Sequence, residues 1–349
     1  MSGVDRSRLP EIAAEPAFHF PIAAKAKLAN GLGIWTIERP RLPLVSILLV
    51  VAAGSADDPA GRHGLAALTA DMLDEGSGDR SAIDMTEALA RLGTELDTQI
   101  GPDSVTVGLT VLRRHLAEAL HLLGDIVVRP RLDVADVERV RTLRLNRLRQ
   151  LRDVPSALAE QAFAAALYGD HPYGHLAVGS TRALEAMTTS DVEAFHRAAY
   201  RPGRATLIAV GDVHEHEVVQ AVDEAFRNWV TAPESVTQFR PPAVETRGAR
   251  LVILDRPGAA QTELRIGHVA AARSTPDYHA LVLLNAVLGG QFVSRINMNL
   301  RERRGFTYGA RTSFDFRQLP GPFVLATTVE TGATADAVGE SIAELVAVR

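Results

Sequence analysis

The feature that most constrains this chain is an internal repeat. Residues 34–40 read IWTIERP and residues 251–257 read LVILDRP, each a short apolar run ending in an acid, Arg and Pro. An extended apolar segment follows in both copies, PLVSILLVVAAGSADDP as far as Pro59 and AAQTELRIGHVAAARSTP as far as Pro276. Both then pass into helical periodicity, over Gly64–Leu73 and Tyr278–Leu288. Further on, SVTVGLTVL (104–112) matches GPFVLATTV (321–329), and a helical pattern follows each, His115–Val128 and Ala333–Val348. Self-similarity at a fixed offset marks two copies of one structural unit. The unit reads strand, strand, helix, helix, strand, strand, helix. Paired strands followed by helices predict an α+β architecture: two homologous domains, each an antiparallel-rich sheet covered by helices on one face.

The first copy continues further than the second. Asp133–Asp153 and Pro155–Leu167 read as helices, the latter with Pro near its start. Ser190–Ala199 reads as another, with Ser190 as its N-cap. ATLIAVGDV (205–213) is a strand closed by a glycine turn, and Glu215–Trp229 is a final helix. The second copy stops at Arg349, the equivalent of about residue 130. It is expected to be truncated, about 100 residues short of a full unit. Thr231–Gly248, TAPESVTQFRPPAVETRG, is polar, Pro-containing and aperiodic, as a linker is. The expected division is a first domain over 1–230, a linker over 231–249 and an incomplete second domain over 250–349. A length of 349 residues suits two domains.

Composition excludes several functions. The net charge of −5 disfavours a nucleic-acid partner. Cysteine is absent, which removes disulfides, thiolate metal ligands and cysteine nucleophiles. The longest apolar run, Leu44–Ala53, falls far short of the roughly 20 residues that span a bilayer, so no membrane partner is expected. Residues 1–20 show no apolar core of signal-peptide length, and the expected compartment is cytoplasmic or periplasmic.

Few residues offer chemistry on spacing alone. His171-Pro-Tyr-Gly-His175 has the spacing of a ligand pair, but Pro172 and Gly174 argue for a structured turn. His214-Glu-His-Glu217 opens a helix, where acidic residues favour the dipole. His171, His175 and His214 together form an alternative metal-cluster reading. Residues 139–152, RVRTLRLNRLRQLR, read as an Arg-rich amphipathic helix with a solvated face. The most distinctive stretch is Leu300-Arg-Glu-Arg-Arg-Gly-Phe-Thr-Tyr-Gly309. Arg301 lies near the end of a helical pattern, Gly305 breaks it and Tyr308 starts the next strand. Guanidinium and phenol are both donors and could converge on one developing oxyanion.

These motifs together resemble the pitrilysin or insulinase-like zinc peptidases, the family of the mitochondrial processing peptidase subunits. The resemblance rests on Asn30-Gly31-Leu32, the Gly64-Leu65-Ala66 helix start, His171-Pro172-Tyr173-Gly174, Gly211-Asp212-Val213 and LRERRGFTYG, and it covers nearly the whole chain. Active members carry H-x-x-E-H on the helix after the second strand, with a further Glu ligand some seventy-odd residues on. Matched onto GLAALTADML, the first His position is Ala67, the Glu position is Ala70 and the second His position is Asp71. The distant Glu falls at about Arg147. Catalytic zinc needs three protein ligands, so the resemblance implies a degenerate zinc site and no zinc cofactor in this chain. An Asp71–Arg147 ion pair is expected in its place. The Arg/Tyr pair of the family is kept as Arg301 and Tyr308.

Some bacterial members of this family work as two chains, one with the zinc and one with the Arg/Tyr pair. The resemblance therefore implies a non-catalytic, substrate-binding subunit of a heterodimeric metallopeptidase, inactive in proteolysis by itself. Arg301 and Tyr308 would bind the carbonyl of a peptide substrate in trans to the zinc of a homologous partner subunit. The alternative is a binding or scaffold protein of the same fold with no proteolytic role. Self-association is a further expectation, because missing strands leave a sheet edge open.

Overall fold

The structure, a computed structural model, describes residues 14, 17–230, 243–244 and 248–348. The expected linker, 231–249, lies almost wholly outside the described residues. The chain order of the first half is β1 (Ala24–Lys27), β2 (Gly33–Glu38), β3 (Leu44–Val51), α1 (Leu65–Asp71), the short hairpin β4 (Gly76–Ser77) and β5 (Arg80–Ser81), α2 (Ala82–Arg91), β6 (Asp97–Ile100), β7 (Val105–Leu112), α3 (Leu116–Val128), α4 (Val134–Leu151), α5 (Pro155–Tyr168), α6 (Thr181–Glu185), α7 (Thr189–Ala199), β8 (Ala205–Gly211) and α8 (Glu215–Phe226). The second half contributes β9 (Gln261–Val269), α9 (Tyr278–Asn285), α10 (Arg295–Asn297), β10 (Ala310–Phe314), β11 (Pro322–Glu330) and α11 (Thr334–Val346).

The first half is a six-stranded sheet in the order β1-β2-β8-β3-β7-β6. Only β2 and β8 run parallel; every other neighbouring pair is antiparallel. Strand β3 shows why helices cover one face. Val45, Ile47, Leu49 and Val51 are buried on one side, while Leu44, Ser46 and Leu48 alternate to the other. Helices α3 and α8 lie on the covered face and add Leu120, Leu123, Val218, Val222 and Phe226 to a continuous core. Helix α1 is buried along nearly its whole length, packed against α4 and α7.

The second half repeats this plan in part. Strand β9 matches β3, β11 matches β7 and α11 matches α3, each at the offset of the sequence repeat. The sheet order is β10-β11-β9, all antiparallel. No described residues supply the counterpart of β8, which in the first half sits between β2 and β3. That corrects one expectation. Residues 251–256, the counterpart of β2, form no strand, and Leu251 and Ile253 stand 85% and 78% exposed. In the first half β2 is joined to the rest of the sheet only through β8, so apolar alternation alone cannot make a strand here.

The same gap explains α9. Its counterpart α1 is a core helix, yet α9 buries no residue, and Val282, Leu283 and Leu284 are exposed. Residues Tyr278–Arg303 are by length and hydropathy apolar enough to cross a membrane. The repeat gives a simpler account: these are the residues that helices like α4 and α7 cover in the first half.

Two further expectations shift. The N-cap of α7 is Thr188, whose hydroxyl accepts from Asp191 N while the Asp191 carboxylate accepts from Thr188 N, a capping box. Ser190 is inside the helix. Strand β10 begins at Ala310, two residues after Tyr308.

The halves are joined by a polar clasp. The Tyr173 hydroxyl donates to the Asp103 carboxylate, which also accepts from Gln318 N at 2.7 Å. Tyr168 donates to Pro320 O at 3.2 Å, and the Arg317 guanidinium lies 4.7 Å from the Tyr173 ring. Burial and the Asp103 contact push the Tyr173 phenol up, so it stays a donor. The His-Pro-Tyr-Gly turn is thus an interdomain contact, with the His171 ring accepting from Tyr173 N at 3.0 Å.

The Gly211-Asp212-Val213 turn has a steric basis. Gly211 ends β8 at φ +144, and a Cβ there would lie 2.0 Å from Leu44 O. Gly211→Ala is expected to destabilise the chain by more than about 1 kcal/mol. Urea unfolding followed by circular dichroism reads this directly, and an unchanged midpoint would remove the steric requirement.

Candidate functional site

The helix that would carry a zinc motif is held at its N-terminus by a buried carboxylate. Asp58 accepts from Gly64 N at 2.6 Å and from Ala66 N at 2.7 Å, satisfying two of the free N–H groups that open α1. The His175 Nε2 lies 3.1 Å from the same carboxylate and 3.0 Å from Ser55 O. Both partners are acceptors, so Nε2 carries the proton. The His63 ring stacks on His175 at 4.0 Å. Burial, then the neighbouring His175, holds the His63 pKa below its ordinary value. Gly64 takes φ +101, and a Cβ there would come 2.9 Å from the Gly179 Cα. This support for α1 escaped the sequence reading, because Asp58 and His175 are 117 residues apart.

Along α1, Ala67 and Ala70 are fully buried in the position of the first His and the Glu. Asp71, one residue on, borders a cavity of about 380 Å³ with Asp74, Glu75, Val140, Arg144 and Arg147. The helix face foreseen from the sequence and the Arg-rich helix α4 do meet here. The partner of Asp71 differs from the expectation. Arg144 Nη1 donates to the Asp71 carboxylate at 2.5 Å, and its Nη2 donates to Ala177 O at 3.2 Å. Arg147 is one turn further along α4, lines the same cavity and makes no ion pair among the described residues. Other α4 arginines tie the helix down: Arg139 bonds Glu75, and Arg141 donates to Met187 O at 2.6 Å.

This donor set does not fit zinc. Of the four motif positions, two are alanines with no lone pair to offer, the one carboxylate, Asp71, is taken by a guanidinium, and the fourth is a cation. Among the described residues no group of three His, Cys, Asp or Glu side chains could hold a metal ion. The alternative cluster is also dispersed. His171 bonds Tyr173 N, His175 bonds Asp58, and His214 Nδ1 lies 3.3 Å from Glu38.

The Arg/Tyr segment has a different character. Residues Met298–Arg303 form a π-helical turn, and Gly305 at φ +67 ends it. The Arg301 guanidinium lies 4.2 Å from the Phe292 ring, and its Nη1 is 3.6 Å from Glu302. The chain around Tyr308 is pinned. Gly309 N donates to Thr307 Oγ1 at 3.1 Å, Thr327 Oγ1 donates to Gly309 O at 3.0 Å, and Ala310 N donates to Asn297 Oδ1 at 3.0 Å. The Tyr308 side chain itself is 93% exposed. Its hydroxyl has no hydrogen-bond partner among the described residues, and no contact joins it to Arg301. A second cavity, of about 600 Å³, is lined by Phe292, which the Arg301 guanidinium faces, and by Gly309, the residue after Tyr308.

Comparison with known proteins places this arrangement. The family model for insulinase, peptidase family M16, matches residues 34–180, and that for the M16 inactive domain matches residues 186–348. The chain belongs to the M16 peptidase family. It is 28% identical over 331 residues to an uncharacterized zinc protease of Mycobacterium leprae, covering 92% of this chain and 74% of that protein. It is 30% identical over 292 residues to one of Mycobacterium tuberculosis, covering 83% and 66%. The chain thus spans about two thirds to three quarters of the length of these relatives. Among solved structures, a peptidase M16 inactive domain from Pseudomonas fluorescens aligns with TM-score 0.87 and 26% identity, covering 93% of this chain and 79% of that one. A protease from Helicobacter pylori aligns with TM-score 0.87 at 18% identity, covering 95% and 83%, and shares the fold.

Two outcomes follow from the ion pair and its neighbours. Asp71→Ala leaves the largely buried Arg144 without its carboxylate. Because Asp71 is itself partly exposed, the expected loss is about 1–2 kcal/mol, between a surface pair and a buried one. An unchanged melting temperature would deny the pair a structural role. Asp74 is pushed up to about 6 by desolvation first, then by Glu75 and Asp71. A raised carboxyl pKa means that the folded state holds the proton more tightly than the unfolded state. Its ionisation therefore costs stability as pH rises from about 4 through about 6. Asp74→Asn should raise the melting temperature more at about pH 8 than at about pH 5. An equal shift at both would refute this electrostatic reading.

Proposed function

We propose that this chain is the non-catalytic, substrate-binding subunit of a two-chain zinc peptidase. In this reading it hydrolyses no peptide by itself. It binds an extended peptide and presents Arg301 and Tyr308 as donors to the scissile carbonyl oxygen, while a homologous subunit with an intact H-x-x-E-H motif brings the zinc. The observation that carries the reading is the Tyr308 side chain, held outward on a pinned backbone with its hydroxyl free. A buried or hydrogen-bonded phenol would be an ordinary packing residue; this one is available to a ligand. Arg301 adds a charged donor seven positions earlier, its plane supported by Phe292. Both donors act on charge that develops as the carbonyl becomes tetrahedral, which is where donors lower a barrier most. The alanines at 67 and 70, and the Asp71 carboxylate engaged by Arg144, support the division of labour.

The test is hydrolysis by the reconstituted pair. Arg301→Ala or Tyr308→Phe is expected to lower its turnover by about 10²-fold or more, on the scale of removing one oxyanion donor. Wild-type turnover in either variant would end the proposed role.

A further inference from the structure

The larger cavity carries an inference that rests on the peptide-binding reading and narrows it. We propose that this cavity is a subsite for an acidic residue of the bound peptide, and that Arg311 selects that residue. The cavity lies between the halves: Ser156, at the start of α5, reaches it from the first half, and β9, β10 and β11 floor it from the second. Its volume of about 600 Å³ suits a side chain with its flanking backbone, within the range of ~300–1,000 Å³ usual for ligand pockets.

The charges in it do not cancel. Glu263 is held by Arg265 at 3.0 Å and accepts from the Thr328 hydroxyl at 2.8 Å. That pair is mostly buried and internally satisfied. Arg311 is different. It sits on β10 opposite Ala326 in the ladder, lines the cavity, is exposed, and has no carboxylate or hydrogen-bond partner among the described residues. The floor therefore carries one uncompensated positive charge. Of the polar side chains around it, Thr327, Thr328 and Asn297 already bond protein groups. The Gln291 carboxamide also lines the cavity, has no hydrogen-bond partner among the described residues and adds a second donor. A guanidinium and an amide donor lining one cavity suit a carboxylate, which accepts hydrogen bonds at both oxygens and meets the charge. A basic peptide side chain would instead meet Arg311 as a like charge. Phe292 walls the same cavity and lies against the Arg301 guanidinium, and Gly309, next to Tyr308 in the chain, lines it too.

The test is direct binding to the full chain without any partner, read by fluorescence anisotropy. The probes are short labelled peptides, amidated at the C-terminus and differing only in a central Glu, Gln or Lys. A further Gln peptide keeps its free C-terminal carboxylate. The Glu peptide is expected to bind about tenfold or more tightly than the Gln peptide, as a charge-assisted pair allows. Arg311→Gln is expected to erase that difference and leave the melting temperature unchanged. Arg311→Lys should restore it in part. Equal binding of the Glu and Gln peptides, or a preference that survives Arg311→Gln, overturns the proposal while leaving peptide binding intact. Preference for the free C-terminus over an internal Glu overturns the side-chain assignment. If no peptide binds, the peptide-binding reading falls and this proposal with it.

Discussion

Strand β8 is the piece on which the architecture turns. It hydrogen-bonds to β2 on one side and β3 on the other, and without it β1 and β2 have no route into the sheet. The first half has this strand and is one six-stranded layer with a continuous core. The second half has no counterpart among the described residues. The consequences are local and physical: residues 251–256 lose their only template, β9 becomes an edge, and the apolar face of α9 is left uncovered. Among the described residues, the same repeat with and without this strand shows what one central strand contributes.

The two halves also divide the chemistry. In the first, the helix that carries a zinc motif elsewhere in the family is held in place by Asp58, Gly64 and His175, and its reactive positions are two buried alanines and an aspartate closed by Arg144. The scaffold of a metal site survives around an ion pair. In the second, the backbone from Thr307 to Ala310 is pinned by hydrogen bonds while the Tyr308 side chain stands exposed and the Arg301 guanidinium lies over Phe292. A clasp of Tyr173, Asp103 and the 317–320 loop holds the two together, so the larger cavity has walls from both.

Much of this was legible in the sequence. The 217-residue offset placed β3 against β9 and β7 against β11, because strand alternation and the following helix recur together. The positions of Ala67, Ala70 and Asp71 followed from the family resemblance, whose H-x-x-E-H motif matches onto GLAALTADML, and helical spacing puts all three on one face. Three things were not legible, for different reasons. The resemblance located Arg147 beside the right cavity, but side-chain reach decides an ion pair, and Arg144 one turn earlier reaches Asp71. LVILDR has strand composition, but a strand needs a neighbour that composition does not reveal. The Asp58–His175 support is a long-range contact with no local signature. Thr188 has a local signature: T-x-x-D at 188–191 is a capping-box pattern.

The central claim is that an Asp71–Arg144 ion pair stands where active relatives hold zinc. The most direct measurement is metal analysis of the isolated full chain after exposure to zinc and exhaustive dialysis. The account predicts background zinc, far below one ion per chain. One tightly held zinc per chain, lost on Asp71→Ala, would contradict it.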